Sequence, residues 1–462
     1  MDGPAGNSTG KGAVLLVATA ASFLFPFMLS AVNIALPTIG RELSLNAVLL
    51  GWVATAYLLS SAAFLVPFGR IADIYGRKRI FSCGIVILML SSFFSGMANS
   101  AAMLISGRVL QGIGGAMLAG TAVALLTTIF RANERGKVLG INVAATYIGL
   151  SLGPVLGGVL TQHFGWRSIF FLSAFLGLVV IGVVLWKLKG EWTGAKGEKF
   201  DLAGSIIYVL GLVALVYGFT LLSEILILGM CLIVGGALGL AAFVRWEMKN
   251  KSPVLDINLF KNSRAFTFSN LAALINYSAT FAVTFLMSLY LQYLKDFNPG
   301  SAGLILVAMP AMQAIFSPLA GRLSDRIEPR IIASAGMALT TIGLVIFVFL
   351  NTRTPLNLII GNLLLMGFGF ALFSSPNTNA VMSSAPNTAY GVASATQATM
   401  RQVGMVLSMG IAMLMFTLYI GRVQITPEYY SLFQQSMKTC FIIFAILCFG
   451  GIFVSLTRGK VR

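Results

Sequence analysis

Titratable side chains are scarce in this sequence. One histidine, His163, four cysteines and fourteen acids are spread over 462 residues, and charged residues make up only 10%, where soluble domains average about a quarter. None of these groups clusters at metal-ligand or catalytic spacing, so no catalytic residue, metal or cofactor is expected. Cys83, Cys231, Cys440 and Cys448 all lie inside apolar runs and form no C-x-x-C pair. That excludes a disulfide or metal framework and leaves packing as their role.

What the chain has in abundance is apolar length. Hydrophobic residues reach 57%, with 34 Phe and 49 Gly, and the mean hydropathy is +0.90. Runs of about 20 residues, enough to cross a ~30 Å hydrocarbon layer, follow one another almost without pause. We place spans near 13–37, 48–68, 80–98, 101–129, 138–162, 166–186, 202–222, 225–244, 265–294, 301–320, 331–350, 355–381, 391–420 and 433–457. Only helices satisfy the backbone in such a series, so the class is all-α polytopic. The first run is longer than a signal-peptide core and lacks a small-residue cleavage site, so it reads as a retained helix.

An even number of spans puts both termini on one side. With that side cytoplasmic, 23 of the 31 Lys and Arg fall on inner loops and tails and six on the outer side, namely Arg41, Arg167, Lys295, Arg353, Arg422 and Lys438. Arg108 and Arg401 remain within spans. This is the positive-inside distribution of a multi-pass protein of the cell membrane. It accounts for the net charge of +17 through anionic lipid headgroups, with no need of nucleic acid. The triplet "NST" at 7–9 falls on the cytoplasmic side and is discounted as a glycosylation site.

The chain repeats itself. Between spans 2 and 3 stands "GRIADIYGRKRIF" (69–81), and after span 10 stands "GRLSDRIEPRI" (321–331), so Gly69 and Asp73 correspond to Gly321 and Asp325 at an offset of 252 residues. "GIGGAM" (112–117) in span 4 has a weaker counterpart in "GFGFAL" (367–372) in span 12. A parallel repeat eight spans long implies two six-helix bundles in pseudo-twofold relation with two extra central helices. The domains are then residues 1–190, a linker with two accessory spans over 191–260, and 261–462. Spans 7 and 8 form a tight outer hairpin around Ser223 and Glu224, beside the bundles.

These stretches resemble the major facilitator superfamily, and within it the fourteen-span drug:proton antiporters, over essentially the whole chain. "GRIADIYGRKR" is similar to the superfamily's signature loop, "LISGRVLQGIGG" (104–115) to its span 4 motif, and "GLSLGPVLGGVL" (149–160) to the span 5 antiporter motif. "NIALPTI" (33–39) and "MRQVG" (400–404) resemble further family patterns. The resemblance implies a monomeric secondary transporter that moves a small molecule by alternating access in exchange for protons. It also implies a conformational latch at Gly69, Asp73, Gly76 and Arg77, matched by Gly321 and Asp325. The span 5 residues Gly149, Gly153, Pro154, Gly157 and Gly158 would seal the outer half between the bundles.

The residues carry physical expectations of their own. A carboxylate flanked by arginines, as at Asp73, makes charge-assisted hydrogen bonds. An arginine placed mid-span costs on the order of 3 kcal/mol or more, so Arg108, with Gln111 one turn on, and Arg401 are expected to face an aqueous cavity on a substrate or proton path. Asp73 and Arg108 are the candidates for proton coupling. Asn33, Gln111, Asn276, Asn362 and Gln397 add neutral polar groups to the expected cavity, and abundant Phe and Met suit loose recognition of apolar ligands. Lone His163 reads as an interfacial residue at the outer end of span 5.

One departure from the family pattern matters. Met28 stands where many relatives of this kind carry an aspartate, and all fourteen acids fall in loops or at span ends. The cavity should therefore be neutral to positive and prefer neutral or anionic amphiphiles. Any proton coupling then falls to Asp73 or to a boundary carboxylate such as Asp201 or Glu224. A metabolite facilitator or symporter on the same fold is the alternative, and a membrane-embedded enzyme a remote one.

Overall fold

Fourteen helices long and apolar enough to cross a membrane make up most of the computed structural model, which describes residues 8–130, 132–188, 190–195, 197–222, 225–250, 253–255, 260–261, 263–384 and 390–459. No strand occurs among the described residues. Spans 1 to 7 are Lys11–Glu42, Ala47–Tyr75, Arg77–Gly96, Ala101–Ile129, Lys137–Phe164, Arg167–Lys187 and Leu202–Leu221. Spans 8 to 14 are Leu226–Glu247, Arg264–Leu294, Pro299–Ser324, Pro329–Val348, Leu356–Ser383, Val392–Tyr419 and Pro427–Thr457. Ser223 and Glu224, expected at the accessory turn, lie outside the described residues.

Several spans begin on a side chain that accepts one of the orphan N–H groups of a first helical turn. Asn46 accepts from Leu49, Ser100 from Met103, Asp201 from Gly204, Ser263 from Phe266 and Asn298 from Ser301. Span 3 has no such cap of its own. Its preceding residue, Gly76, has φ +125°, a conformation that side-chain-bearing residues resist. The cap comes instead from the linker after span 6: Glu191 accepts from the backbone N–H of Lys78 at 2.7 Å and of Arg79 at 3.1 Å, and Trp192 O accepts from Arg77 N at 2.8 Å.

Span 10 is interrupted at Val307, between helical stretches Pro299–Leu306 and Ala308–Ser324. The cause is Pro310, which has no N–H to offer the carbonyl four residues earlier, at Leu306.

The repeat is visible in which helices touch. In the first half, span 1 packs on 5, span 2 on 4, and span 3 on 4 and 6; in the second, span 9 packs on 13, span 10 on 12, and span 11 on 12 and 14. Each pair maps onto its counterpart by adding eight. The two halves meet chiefly where span 5 crosses span 10 and span 13 crosses span 2, which are themselves exchanged by the same pseudo-twofold operation. The accessory hairpin packs mainly on itself and touches spans 2 and 13.

Candidate functional site

The span 5 glycines set how closely the helices approach on the outer side. A side chain at Gly149 or Gly157 would run into the backbone of span 1, at Phe23 O (2.5 Å) and Ala31 Cα (2.7 Å), and one at Gly153 would overlap Ser30. Gly158 faces the other way, toward the second half, where a Cβ would overlap Pro299 O of span 10. From span 10, Gly303 returns the contact against Pro154 O. Small residues here let backbone meet backbone across the two halves.

Polar links reinforce that seal. Ser288 Oγ donates to Asn33 O (2.8 Å), Gln292 Nε2 to Ile34 O (2.9 Å), Gly300 N to Gln162 Oε1 (3.2 Å) and Ala47 N to Val423 O (2.9 Å). Thr55 Oγ1 meets Met413 Sδ at 3.1 Å. The innermost links are Ser61 Oγ to Gln402 Oε1 (3.1 Å) and Tyr147 Oη with Ser374 Oγ (3.3 Å). Gln402 and Tyr147 each stand ten residues into spans 13 and 5, hence about 15 Å from their N-terminal ends at 1.5 Å per residue, near the middle of the spans. Toward the N-terminal ends of spans 5 and 13 no hydrogen bond joins the halves among the described residues.

Next to these mid-span links lies a polar cluster. Arg401 is exposed and lies against Tyr277 of span 9, which in turn neighbours Tyr147 and Ser374. Gln397, one turn below Arg401, donates to Thr378 Oγ1 at 2.8 Å. This places one guanidinium, two phenols and several hydroxyl and amide groups where both halves converge. Tyr147 and Tyr277 were not among the sequence candidates. Two mid-span tyrosines on helices that the repeat puts at the centre were the signal available for them.

Other expected cavity residues are elsewhere. Arg108 is fully buried inside the first bundle, where Nε donates to Val53 O (3.0 Å), Nη1 to Gln111 Oε1 (2.8 Å), and the guanidinium lies 4.2 Å from the Tyr57 ring. Gln111 passes the network to Ser92 Oγ at 2.9 Å. Backbone carbonyl, amide and ring face hold the guanidinium inside the bundle, while Nη2 is buried there without a hydrogen-bond partner. Asn362 is tied to Gly343 O (2.8 Å) between spans 12 and 11. Asn276 is fully buried with its amide atoms unpartnered, and Asn33 is buried at the outer seal. Met28 is buried against Ser173 of span 6. His163 is exposed at the outer end of span 5.

The signature loop is closed on its own half. Asp73 Oδ1 accepts from Arg77 Nε at 2.8 Å, while Arg77 Nη1 reaches Ala124 O (3.1 Å) and Thr128 of span 4. The linker lies over the loop: Gly194 N and Ala195 N both donate to Asp73 O at 2.9 Å, and Glu198 pairs with Arg70 at 2.5 Å. Gly69 allows span 4 to pass close by at Gly120, where a Cβ would stand 3.3 Å from its Cα. In the second copy, Gly321 O accepts from Ser324 Oγ (2.6 Å), Asn379 donates to that same hydroxyl, and Asp325 follows the end of span 10 on the inner side.

Arg458, counted in the sequence only as an inner tail cation, is buried and clasps the second half together. It donates to Ser455, Ser269, Asn377 and Pro329 O, so that spans 9, 11, 12 and 14 meet on one side chain. Burial pulls its guanidinium down to about 10, leaving it charged at neutral pH.

The comparisons agree with this geometry. A sequence profile described as Major Facilitator Superfamily matches residues 18–255 and 269–461. The riboflavin transporter RibZ of Clostridioides difficile is 30% identical over 458 residues, covering 96% of this chain and 97% of its own. The multidrug resistance protein Stp of Mycobacterium tuberculosis is 32% identical over 400 residues, 84% of this chain and 73% of its own. Among solved structures, a bacterial homologue of the human lysosomal transporter Spinster, inward-facing and unoccupied, superposes with a TM-score of 0.72 at 15% identity, covering 98% of both chains. With fourteen membrane-length helices among its described residues and this profile match along nearly its whole length, the chain belongs to the Major Facilitator Superfamily and is a multi-pass membrane transporter.

Proposed function

We propose that the protein exports small amphipathic compounds, neutral or anionic in preference to cationic, by alternating access and in exchange for protons. The observation that supports this reading is Arg401, an exposed guanidinium near the midplane beside Tyr147, Tyr277 and Ser374. Every described acid lies in a loop or in the terminal turn of a span, so nothing in that cavity attracts a cation. Aromatic faces and scattered hydrogen-bonding groups suit ligands that are apolar in bulk and polar at an edge. In this reading Asp73 carries the proton and Arg108 is a fixed positive charge along span 4. A second reading, a metabolite facilitator or symporter, is favoured by the identity to a riboflavin transporter along nearly the whole chain.

The test is uptake into proteoliposomes under an imposed pH gradient, with neutral, anionic and cationic dyes. Neutral and anionic dyes are expected to accumulate, and to stop when the gradient is collapsed. Uptake indifferent to the gradient would remove proton exchange in favour of the facilitator, and equal handling of a permanent dication would remove the charge preference.

Asp73→Asn addresses the latch. It keeps the side-chain volume and removes the charge that Arg77 binds, and hydrogen bonds to charged groups contribute about 1.5–3 kcal/mol. Transport is expected to fall about tenfold or more, and wild-type rates in the variant would withdraw both latch and coupling roles from this residue.

A further inference from the structure

The accessory hairpin ends, on its inner side, in two acids that the transport path described above does not use. Asp201 precedes span 7 and Glu247 closes span 8, and they are 9% and 2% exposed. Asp201 accepts three hydrogen bonds: Oδ1 from Gly204 N (2.9 Å), and Oδ2 from Trp246 Nε1 (2.8 Å) and Asn250 Nδ2 (2.6 Å). Glu247 is not. Its Oε2 accepts from Leu255 N at 3.0 Å, but Oε1 is buried without a hydrogen-bond partner. That oxygen points at Asp201 across Gly204, where an added Cβ would meet Glu247 Oε1 at 2.7 Å and overlap Asp201 Oδ2. The glycine is what allows two carboxyl groups into this space.

Among the described residues no cation balances them. Along the chain stand Glu198, Lys199, Arg245 and Lys249; span 2, packed against span 7, brings Arg70 and Asp73 at its inner end, and span 13 brings Arg401. Arg70 is committed to Glu198, and Asp73 to Arg77. Tyr208 donates its hydroxyl to Ala62 O. Among the described residues neither Asp201 nor Glu247 has an ion-pair partner. Two adjacent buried carboxylates without a counter-charge cannot both stay ionised, and one proton held between them removes the repulsion.

We propose that Asp201 and Glu247 form a proton-binding site that holds one proton between them at neutral pH, with Glu247 as the protonated member. The donor count makes the assignment: three N–H groups already use the oxygens of Asp201 as acceptors and leave one site open, whereas the bare Oε1 of Glu247 gains a use for a proton by donating it toward Asp201. The bound proton holds the inner ends of spans 7 and 8 together, and its loss at alkaline pH sets two negative charges against each other there. That this proton is also one of those exchanged in transport rests on the exchange mechanism proposed above; the site itself does not.

The experiment is infrared spectroscopy of the full-length protein in lipid, following the protonated-carboxyl C=O stretch from acid to alkaline pH. The wild type is expected to keep such a band at neutral pH and lose it on the alkaline side. Glu247→Gln is expected to lack it. Asp201→Asn, which removes the like charge, is expected to shift its loss to lower pH. A wild type with no protonated carboxyl at neutral pH overturns the site whether or not either variant folds, and a band unchanged in Glu247→Gln or in Asp201→Asn overturns the pairing. A titrating band in protein whose dye uptake ignores the pH gradient keeps the site and removes proton exchange; gradient-driven uptake without the band does the reverse.

Discussion

Replacing Gly303 by alanine is expected to cut transport about tenfold or more and to leave the protein with its outer side open. The added methyl group would overlap Pro154 O and stand 2.9 Å from Pro154 C. Both atoms are backbone, so no side chain can swing aside to make room. Overpacking of this kind costs about 1–3 kcal/mol, and every 1.4 kcal/mol is tenfold in an equilibrium. The cost falls only on the closed state, because the open state separates spans 5 and 10, and so the population shifts outward. Ser288→Cys reports the shift, since this position is fully buried within the seal. With the exposed Cys83 and Cys231 changed to serine, labelling by an impermeant thiol reagent from outside should rise in Gly303→Ala. Gly158→Ala, which faces Pro299 O, should act in the same direction. Unchanged labelling together with unchanged transport would mean that this contact is not a gate.

Arg401→Gln is expected to lower transport of anionic dyes by up to about a hundredfold while neutral dyes lose less than about tenfold. The guanidinium is exposed beside Tyr277 near mid-span, and a hydrogen bond to a charged ligand contributes about 1.5–3 kcal/mol. Lysine should restore only part of the difference, as a point charge without the planar fork. Equal losses for both dye classes would assign Arg401 to holding Tyr277 in place and not to reading the ligand's charge.

The contrast between the two mid-span arginines shows how far the sequence can be read. Span number, order and the eight-span repeat were legible because each rests on about 20 consecutive residues or on an offset, and the helix pairings follow that offset. Which way a polar residue faces was not. Arg108 and Arg401 carry the same chemistry within spans, yet one is enclosed by Val53 O, Gln111 and Tyr57 and the other is exposed. In a helix surrounded by other helices, the face toward a bundle core and the face toward a cavity both tolerate polar groups, so periodicity does not separate them. Asn276 and Asn362 were misplaced for the same reason. Arg458 and Glu247 were hidden differently: both stand at span ends, where charge is ordinary, and only the fold reveals that they are buried. Glu191 as the cap of span 3 joins residues more than a hundred positions apart, which no local pattern records.

The linker strap also decides which half owns the accessory pair. Glu191, Gly194, Ala195 and Glu198 bind it to the loop after span 2, and Tyr208 binds span 7 to Ala62 of that same span. Toward the second half there is only apolar touch, such as Phe219 against Gly410 of span 13; among the described residues no hydrogen bond crosses there. Spans 7 and 8 are thus tied by hydrogen bonds to the first bundle, and under the alternating access proposed above the greased face between spans 7 and 13 is the boundary that would shear.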